Sequence, residues 1–234
     1  MLEAFALAFD LIARLDADLI EIVALSLRVS LTAVLISCLI GLPLGALLAT
    51  SRFRGRSVVT VLLNALMGLP PVVVGLIVYL ALSASGPLGF LQMLYTPGAM
   101  IAAQTVLIAP IVAALSRQVL EDLHDEYGEL FRSMGVPRGR VVGALLWDAR
   151  IALVTVALAG FGRAVAEVGA VVIVGGNIDH VTRVMTTAIA LETSRGNLPL
   201  ALALGLVLML IALGVNAAAA LAARGTVRLS ARAA

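Results

Sequence analysis

Long uninterrupted apolar stretches dominate the hydrophobic pattern of this chain. Five of them stand out, at residues 29–49, 58–82, 98–115, 151–174 and 198–223. About 20 helical residues, each rising about 1.5 Å, cross a hydrocarbon core roughly 30 Å thick. The stretches are continuous and do not alternate with polar residues, which favours helices over strands. The sequence therefore predicts an all-α polytopic membrane protein with about five transmembrane helices.

Composition supports this prediction. The chain is 62% hydrophobic and 13% charged, with a mean hydropathy of +1.10, whereas charged residues make up about a quarter of an ordinary soluble domain. The single cysteine, Cys38, falls inside the first apolar stretch, so we expect neither a disulfide nor a cysteine-based metal site. The first 21 residues are acidic and do not resemble a cleavable signal peptide.

The distribution of arginine predicts the orientation in the membrane. If all five stretches cross it, eleven arginines face one side and three face the other. The larger group consists of Arg52, Arg54, Arg56, Arg117, Arg132, Arg138, Arg140, Arg150, Arg224, Arg228 and Arg232. Because positive residues favour the cytoplasmic side, the N-terminus is predicted outside and the C-terminus in the cytoplasm.

This orientation divides the chain into three parts. Residues 1–22 form an extracytoplasmic amphipathic segment, which either lies flat on the membrane surface or caps the helix bundle. Residues 23–223 form the transmembrane domain, and residues 224–234 form a short cytoplasmic tail.

The segment 117–150 interrupts the apolar pattern and carries eleven charged residues. Its first part has apolar residues at three- and four-residue steps, which places them on one helix face: Val119, Leu123, Tyr127, Leu130 or Phe131, and Met134. Gly135 followed by Pro137 is a helix stop. A second amphipathic stretch follows, with Val141, Val142, Leu145 and Leu146 on one face. We therefore expect two helices joined by a tight turn on the cytoplasmic side; the alternative is a solvated loop.

The sequence from Glu129 to Gly135, with Leu145 and Trp147 further on, resembles the cytoplasmic "EAA" loop of ABC-importer permeases. In that family the loop is a coupling helix that docks on an ATPase subunit. The resemblance assigns this coupling to Glu129, Leu130, Phe131, Gly135, Val136, Pro137 and Leu145. The chain departs from the family pattern in having Leu130 and Phe131 in place of two alanines, and Asp148 where a proline is common.

Further motifs resemble the tungstate branch of these permeases, which is close to the molybdate and sulfate types. They are the glycine- and alanine-rich sequence at 160–170 with its continuation at 175–178, and residues 182–193; the proline-proline span at residues 68–75 resembles that of molybdate- and tungstate-type permeases alike. The resemblance implies oxyanion import across a bacterial or archaeal cell membrane, with tungstate as the first substrate and molybdate or another oxyanion as the alternative.

The same resemblance implies the partners. They are a second copy of this chain, a cytoplasmic ABC ATPase dimer and an extracytoplasmic substrate-binding protein, in addition to membrane lipid. ATP and Mg²⁺ would be bound by the ATPase, and no cofactor is expected in this chain. We expect no nucleic-acid partner.

Two polar features lie inside the apolar stretches. Arg163 and Glu167 are four residues apart, so they share a helix face and can pair. Arg163 either places positive potential along an anion path or is neutralised by Glu167 as a packing element. Pro70 and Pro71 should bend or break the second stretch, with a pore-lining role or simple kinking as the alternatives.

The outer loop 176–197 carries hydroxyl and arginine side chains, among them Thr182, Arg183, Thr186 and Thr187. Such groups can receive an oxyanion as it sheds water. The loop either forms the route by which the anion enters or is a docking surface for the external binding protein.

Nothing in the sequence indicates an enzyme. It has no phosphate-cradling GxxxxGK[ST] motif and no pattern for nucleophilic or metal chemistry. Two other function classes stay open, which are a stand-alone secondary transporter or channel and a non-transporting membrane scaffold. A secondary transporter is expected to show inverted repeats or several intramembrane ionisable groups.

Overall fold

The computed structural model describes residues 2–51 and 53–233, with side chains excluded at 2–4, 138 and 222–233. Arg52 and the side chains of Arg138 and of the tail arginines counted above therefore lie outside this description. Within that description the chain forms α-helices and one short 3₁₀ turn, without strands. The helices are α1 (Leu2–Ala13), α2 (Ala17–Thr50), α3 (Arg56–Met67), α4 (Pro71–Leu82), α5 (Pro97–Ser133), α6 (Arg138–Asp148), α7 (Arg150–Val165), α8 (Gly169–Gly175), α9 (Met185–Arg195) and α10 (Leu198–Ala233).

Three helices are long and apolar enough to cross a membrane by themselves. They are α2, α5 and the part of α10 up to Leu221, and the number rises to five if two bent helix pairs each count as one span. The predicted all-α membrane fold is confirmed. The orientation of the termini stays a prediction.

The second apolar stretch is broken at its prolines, as predicted. Helix α3 ends at Met67 and α4 begins at Pro71. Pro70 lies immediately before α4 with a φ of −64°. Proline has no N–H to donate and disfavours helix in the residue before it, so two consecutive prolines favour a helix break at this point.

The fourth apolar stretch is also divided, which its hydrophobicity did not indicate. Helix α7 ends at Val165, and the short helix α8 begins only at Gly169. The outer loop also contains a helix, α9, which the sequence pattern did not indicate. Continuous apolar sequence does not reveal such breaks, because hydropathy reports burial in lipid and not backbone direction.

The fold separates into two compact units, each built from three chain segments. The first unit contains Met1–Ala33, Pro70–Val106 and Gly162–Gly214. The second contains Val34–Leu69, Leu107–Phe161 and Val215–Ala234. The whole segment 117–150 belongs to the second unit, whereas Arg163, Glu167 and the outer loop belong to the first.

In the first unit, α4 packs against α8 and approaches it closely at Gly75. A Cβ added to Gly75 would lie 2.7 Å from the Cα of Ala170 and 3.1 Å from its carbonyl oxygen. Absence of a side chain at Gly75 therefore sets the separation of these two helices.

Gly75→Ala is expected to destabilise the protein, because the added methyl group would overlap the α8 backbone. Overpacking of this kind costs about 1–3 kcal/mol, so the melting temperature of detergent-purified protein should fall. Gly205→Ala in α10 is the matched control, since a Cβ at Gly205 meets nothing within 4 Å. Equal melting temperatures for the two variants would contradict the close approach.

Candidate functional site

The segment 117–150 is folded onto the helices beside it, as its periodicity predicts. Helix α5 continues from the third apolar stretch to Ser133, and α6 begins after the turn at Gly135 (φ 64°). A buried cluster joins this segment to α2 and α7: Ala46, Ala49, Leu120, Val141, Leu145, Ala149 and Leu153. The prediction of two helices around a tight turn is confirmed, and the solvated loop is excluded.

The structure sorts the residues assigned to coupling into two groups. Leu145 is buried, with 1% of its surface exposed, and Phe131 and Val136 pack against the cluster. Leu130 is 55% exposed. Glu129, Gly135 and Pro137 are also exposed. The inward group holds the turn in place, whereas the outward group is available to a partner.

Two large apolar residues join the outward group. Met134 is 66% exposed and Trp147 is 71% exposed. The periodicity argument placed Met134 on the packed face, and this was wrong: α5 ends at Ser133, so the helical spacing no longer applies to Met134. Leu130, Met134 and Trp147 form what we call the outward apolar group. Apolar side chains exposed on this folded segment, outside the long apolar stretches, are available to a protein partner.

A cavity of about 530 Å³ lies beside the turn. Its lining includes Thr50 of α2, His124 and Arg132 of α5, and Val136 of the turn. The Nδ1 atom of His124 is buried and has no hydrogen-bond partner among the described residues. Sequence reasoning did not single out His124, because nothing in its neighbours along the chain marks it as buried.

Charged side chains fix the start of α3 against α5. Arg56 donates from Nη2 to Oε1 of Glu121 at 2.6 Å and from Nε to the carbonyl of Leu48 at 2.7 Å. Arg117 pairs with the other oxygen of Glu121. Two arginines therefore share one carboxylate, which leaves this group of three with a net positive charge.

Arg163 and Glu167 form the expected ion pair, with Nη1 and Oε2 2.5 Å apart. The other carboxylate oxygen of Glu167 accepts a hydrogen bond from the N–H of Ala170 at 3.2 Å, in the first turn of α8. The Glu167 side chain is 4% exposed and that of Arg163 is 37% exposed. The carboxylate thus both neutralises an arginine and satisfies one N–H at the start of α8.

Two further hydrogen bonds hold the same region. Thr186 donates from its hydroxyl to the carbonyl of Glu167 at 2.8 Å, and Gln104 donates from Nε2 to the carbonyl of Ala164 at 3.0 Å. The chain between α7 and α8 is therefore tied to α9 and to α5. This arrangement favours a structural role for the pair. The role of Arg163 in an anion path stays a prediction.

The hydroxyls predicted on the outer loop are mainly bonded within the fold. Thr182 is 1% exposed and donates to the carbonyl of Gly175 at 2.6 Å. Thr187 is 2% exposed and accepts a hydrogen bond from the N–H of Val184 at 3.1 Å. Arg183 pairs with Asp179 at 2.6 Å. These residues shape the loop, and their proposed contact with an anion or a binding protein stays a prediction.

Comparison with known proteins decides the family. Residues 41–228 match the family described as binding-protein-dependent transport system inner membrane component. This match covers most of the chain and includes the whole segment 117–150. The protein belongs to this family.

Individual permeases are similar over most of their length. A tungstate uptake system permease protein from Peptoclostridium acidaminophilum is 40% identical over 85% of this chain and 87% of its own. A probable anion ABC transporter permease protein from Haloferax volcanii is 42% identical over 77% of this chain and 80% of its own. A molybdenum transport system permease protein from Escherichia coli is 30% identical over 72% and 77%.

Family membership makes this permease an inner-membrane transport component. It also implies an ATPase and a substrate-binding protein as partners.

The two prolines of the permease are placed differently with respect to the protein interior. Pro70 is exposed at the break between α3 and α4, and Pro71 is half-buried as the first residue of α4. The structure confirms that they break the helix. Whether they line the path of the substrate stays a prediction.

The contact between His180 and Glu21 is expected to make the stability of the permease depend on pH. His180 Nδ1 lies 2.9 Å from Glu21 Oε2. The hydrogen bond to Glu21, then its charge and that of Asp179, raise the pKa of His180. A small pocket is lined by His180 and Glu21, together with Asp18 and Arg183.

Because the folded-state pKa of His180 exceeds the unfolded value of about 6.5, this contact stabilises the fold fully below that pH. The stabilisation is lost as the pH rises through the folded-state pKa. Melting temperatures of the wild type and His180→Gln should therefore differ at pH 5.5 and converge at pH 8.5 (roughly one to two pH units either side of the unfolded value). A difference that is the same at both pH values would contradict a titrating contact.

Proposed function

We propose that this permease is the membrane subunit of an ATP-driven oxyanion importer, with tungstate as its substrate. Two copies form the translocation path, and a separate ATPase dimer binds ATP and Mg²⁺. The chain itself carries no ATPase site and needs no cofactor. The strongest support for this proposal is the similarity to a tungstate permease over most of both chains.

Coupling to the ATPase occurs through the segment 117–150 in this proposal. The buried cluster makes that segment a rigid unit with α2 and α7, so movement of the ATPase can be transmitted to the spans. Residues Glu129, Leu130, Phe131, Gly135, Val136, Pro137 and Leu145 participate, either by contact or by supporting the turn. In this proposal residues 1–22 lie on the extracytoplasmic side and residues 224–234 lie in the cytoplasm.

Substrate delivery uses the extracytoplasmic binding protein, which docks on the outer face that carries Arg183 and Thr186. Pro70, Pro71, Arg163 and Glu167 remain the sequence-based candidates for the path or its gate. Tungstate and molybdate have nearly the same size and charge, so the binding protein is expected to choose between them.

Reconstitution tests the proposed function. The permease is placed in liposomes with its ATPase, ATP is enclosed on the ATPase side, and the binding protein is added outside with tungstate. We expect uptake that requires all three proteins and ATP. Uptake without nucleotide would support a channel or secondary transporter, and stronger uptake of molybdate would reassign the substrate.

A further inference from the structure

Helix α3 has a polar face, of which Ser57 and Asn64 are exposed and Thr60 is half-buried. Ser57, Thr60 and Asn64 recur at steps of three and four residues, so they share one face of the helix. No residue of α3 is buried in the structure. Its other faces carry exposed apolar side chains, including Val58 at 71% and Leu62 at 57% exposure. The apolar faces suit lipid, whereas the polar face does not.

The polar side chains of this face have no hydrogen-bond partner in the described part of the chain. Other membrane-helix threonines behave differently: Thr105 donates to the carbonyl of Ile101 at 2.8 Å, and Thr155 donates to that of Ile151 at 3.3 Å. An amide such as that of Asn64 costs several kcal/mol to place in hydrocarbon without a partner (roughly 4–8 in an alkane). The face must therefore meet water or protein.

Backbone polarity increases at the end of the same helix. The carbonyl of Met67 cannot accept the usual helical hydrogen bond, because the residue four positions on is Pro71, which has no N–H. Gly68, which follows, is exposed. Irregular backbone at membrane depth is tolerated only where it is buried in protein or lines a water-filled cavity.

Positive charge lies at the other end of α3. Arg56 begins the helix, and together with Arg117 and Glu121 it forms the group with a net positive charge. The Nε of Arg117 is buried and finds no acceptor within the described residues. A positive group at one end of a polar face attracts an anion towards it. The predicted orientation places this end at the cytoplasm, which is the direction of import.

We propose that Thr60 and Asn64 line the passage of the oxyanion, in a water-filled path formed with a second copy of the chain. This inference rests on the proposed function. The neutral O–H of Thr60 and N–H groups of Asn64 can donate hydrogen bonds to a tetrahedral dianion, and they bind it less tightly than a fixed positive charge would. Such a balance is required for transport, since the ion must enter and also leave. Arg163, by contrast, is paired with Glu167.

Cysteine accessibility tests this assignment in the assembled transporter. Cys38 is the only native cysteine, so Cys38→Ala provides a background in which Thr60→Cys, Asn64→Cys and the control Leu62→Cys are compared. Proteoliposomes carrying the complete importer are treated with a charged, membrane-impermeant thiol reagent. We expect Thr60→Cys and Asn64→Cys to react and Leu62→Cys, on the lipid-facing side, to remain unmodified.

Tungstate supplied with the binding protein and ATP should slow the reaction at Asn64→Cys several-fold. The inference is overturned if Asn64→Cys is unreactive or if Leu62→Cys reacts equally fast. It is also overturned if Asn64→Cys forms a disulfide between two copies and the reagent cannot reach it, because that result indicates a dry contact between subunits. Uptake by the Cys38→Ala protein is measured in parallel. If that protein takes up no oxyanion the proposed function fails, whereas uptake with an unreactive Asn64→Cys refutes the path alone.

Discussion

Glu167→Ala is expected to lose about 3 kcal/mol of folding free energy and most of its transport. The substitution leaves Arg163 without its carboxylate partner and leaves the N–H of Ala170 without an acceptor. For a chain of this size the melting temperature should fall by roughly 6–12 °C. Thermal unfolding in detergent and uptake by proteoliposomes measure the two effects.

A double-mutant cycle separates the causes. Glu167→Gln removes the negative charge but keeps an oxygen that can accept from Ala170, so its loss should be smaller than that of Glu167→Ala. Adding Arg163→Gln removes the uncompensated charge and should restore both stability and uptake. Equal stability of Glu167→Gln with and without Arg163→Gln would contradict the ion-pair account. Restored stability without restored uptake would give Arg163 a role in the anion path.

Leu130→Asp and Met134→Asp are each expected to weaken binding of the ATPase by about 30-fold, which corresponds to about 2 kcal/mol for a central contact residue. Both side chains are more than half exposed, so neither substitution should change the melting temperature. A charge placed in an apolar contact is desolvated on binding without a partner. Binding of the purified ATPase to the permease in detergent, by calorimetry or surface capture, provides the measurement.

Two controls make this test specific. Asp122→Ala alters an exposed residue two turns earlier on α5 and should leave binding unchanged. Leu145→Ala removes a buried side chain of the cluster and should cost about 2–5 kcal/mol of stability, so that binding and melting temperature fall together. Normal ATPase binding by both aspartate variants would rule out the outward apolar group as the docking surface.

The turn between α5 and α6 shows which structural features local sequence predicts and which it leaves open. Gly135 and Pro137 mark where one helix ends and the next begins, because glycine adopts positive φ easily and proline lacks the N–H that a continuing helix would use. Leu130 and Phe131 are adjacent, however, and periodicity alone left open which of them is packed. The structure packs Phe131, because the cluster from α2 and α6 lies on its side of α5.

The outer loop illustrates the opposite case. Its hydroxyls looked available to a ligand in the sequence, but Thr182 and Thr187 are buried and bonded to backbone groups. The sequence did not reveal the polar face of α3 either. Ser57, Thr60 and Asn64 are unremarkable within an apolar stretch until the structure shows that none of them is buried or hydrogen-bonded to a described residue. Exposure and hydrogen bonding depend on residues far apart in the chain, which a pattern along the sequence does not report.

The sequence by itself determined the class of protein, the number of apolar stretches, the break at Pro70-Pro71 and the helix–turn–helix of residues 117–150. Each of these follows from local chemistry: hydrophobic length, helix periodicity, and the backbone limits of glycine and proline. Only the tertiary structure decided which side chains of residues 117–150 face a partner, and that Glu167 serves both Arg163 and the start of α8. Those outcomes depend on packing between segments distant in sequence, where burial selects one of several faces that local pattern leaves equivalent.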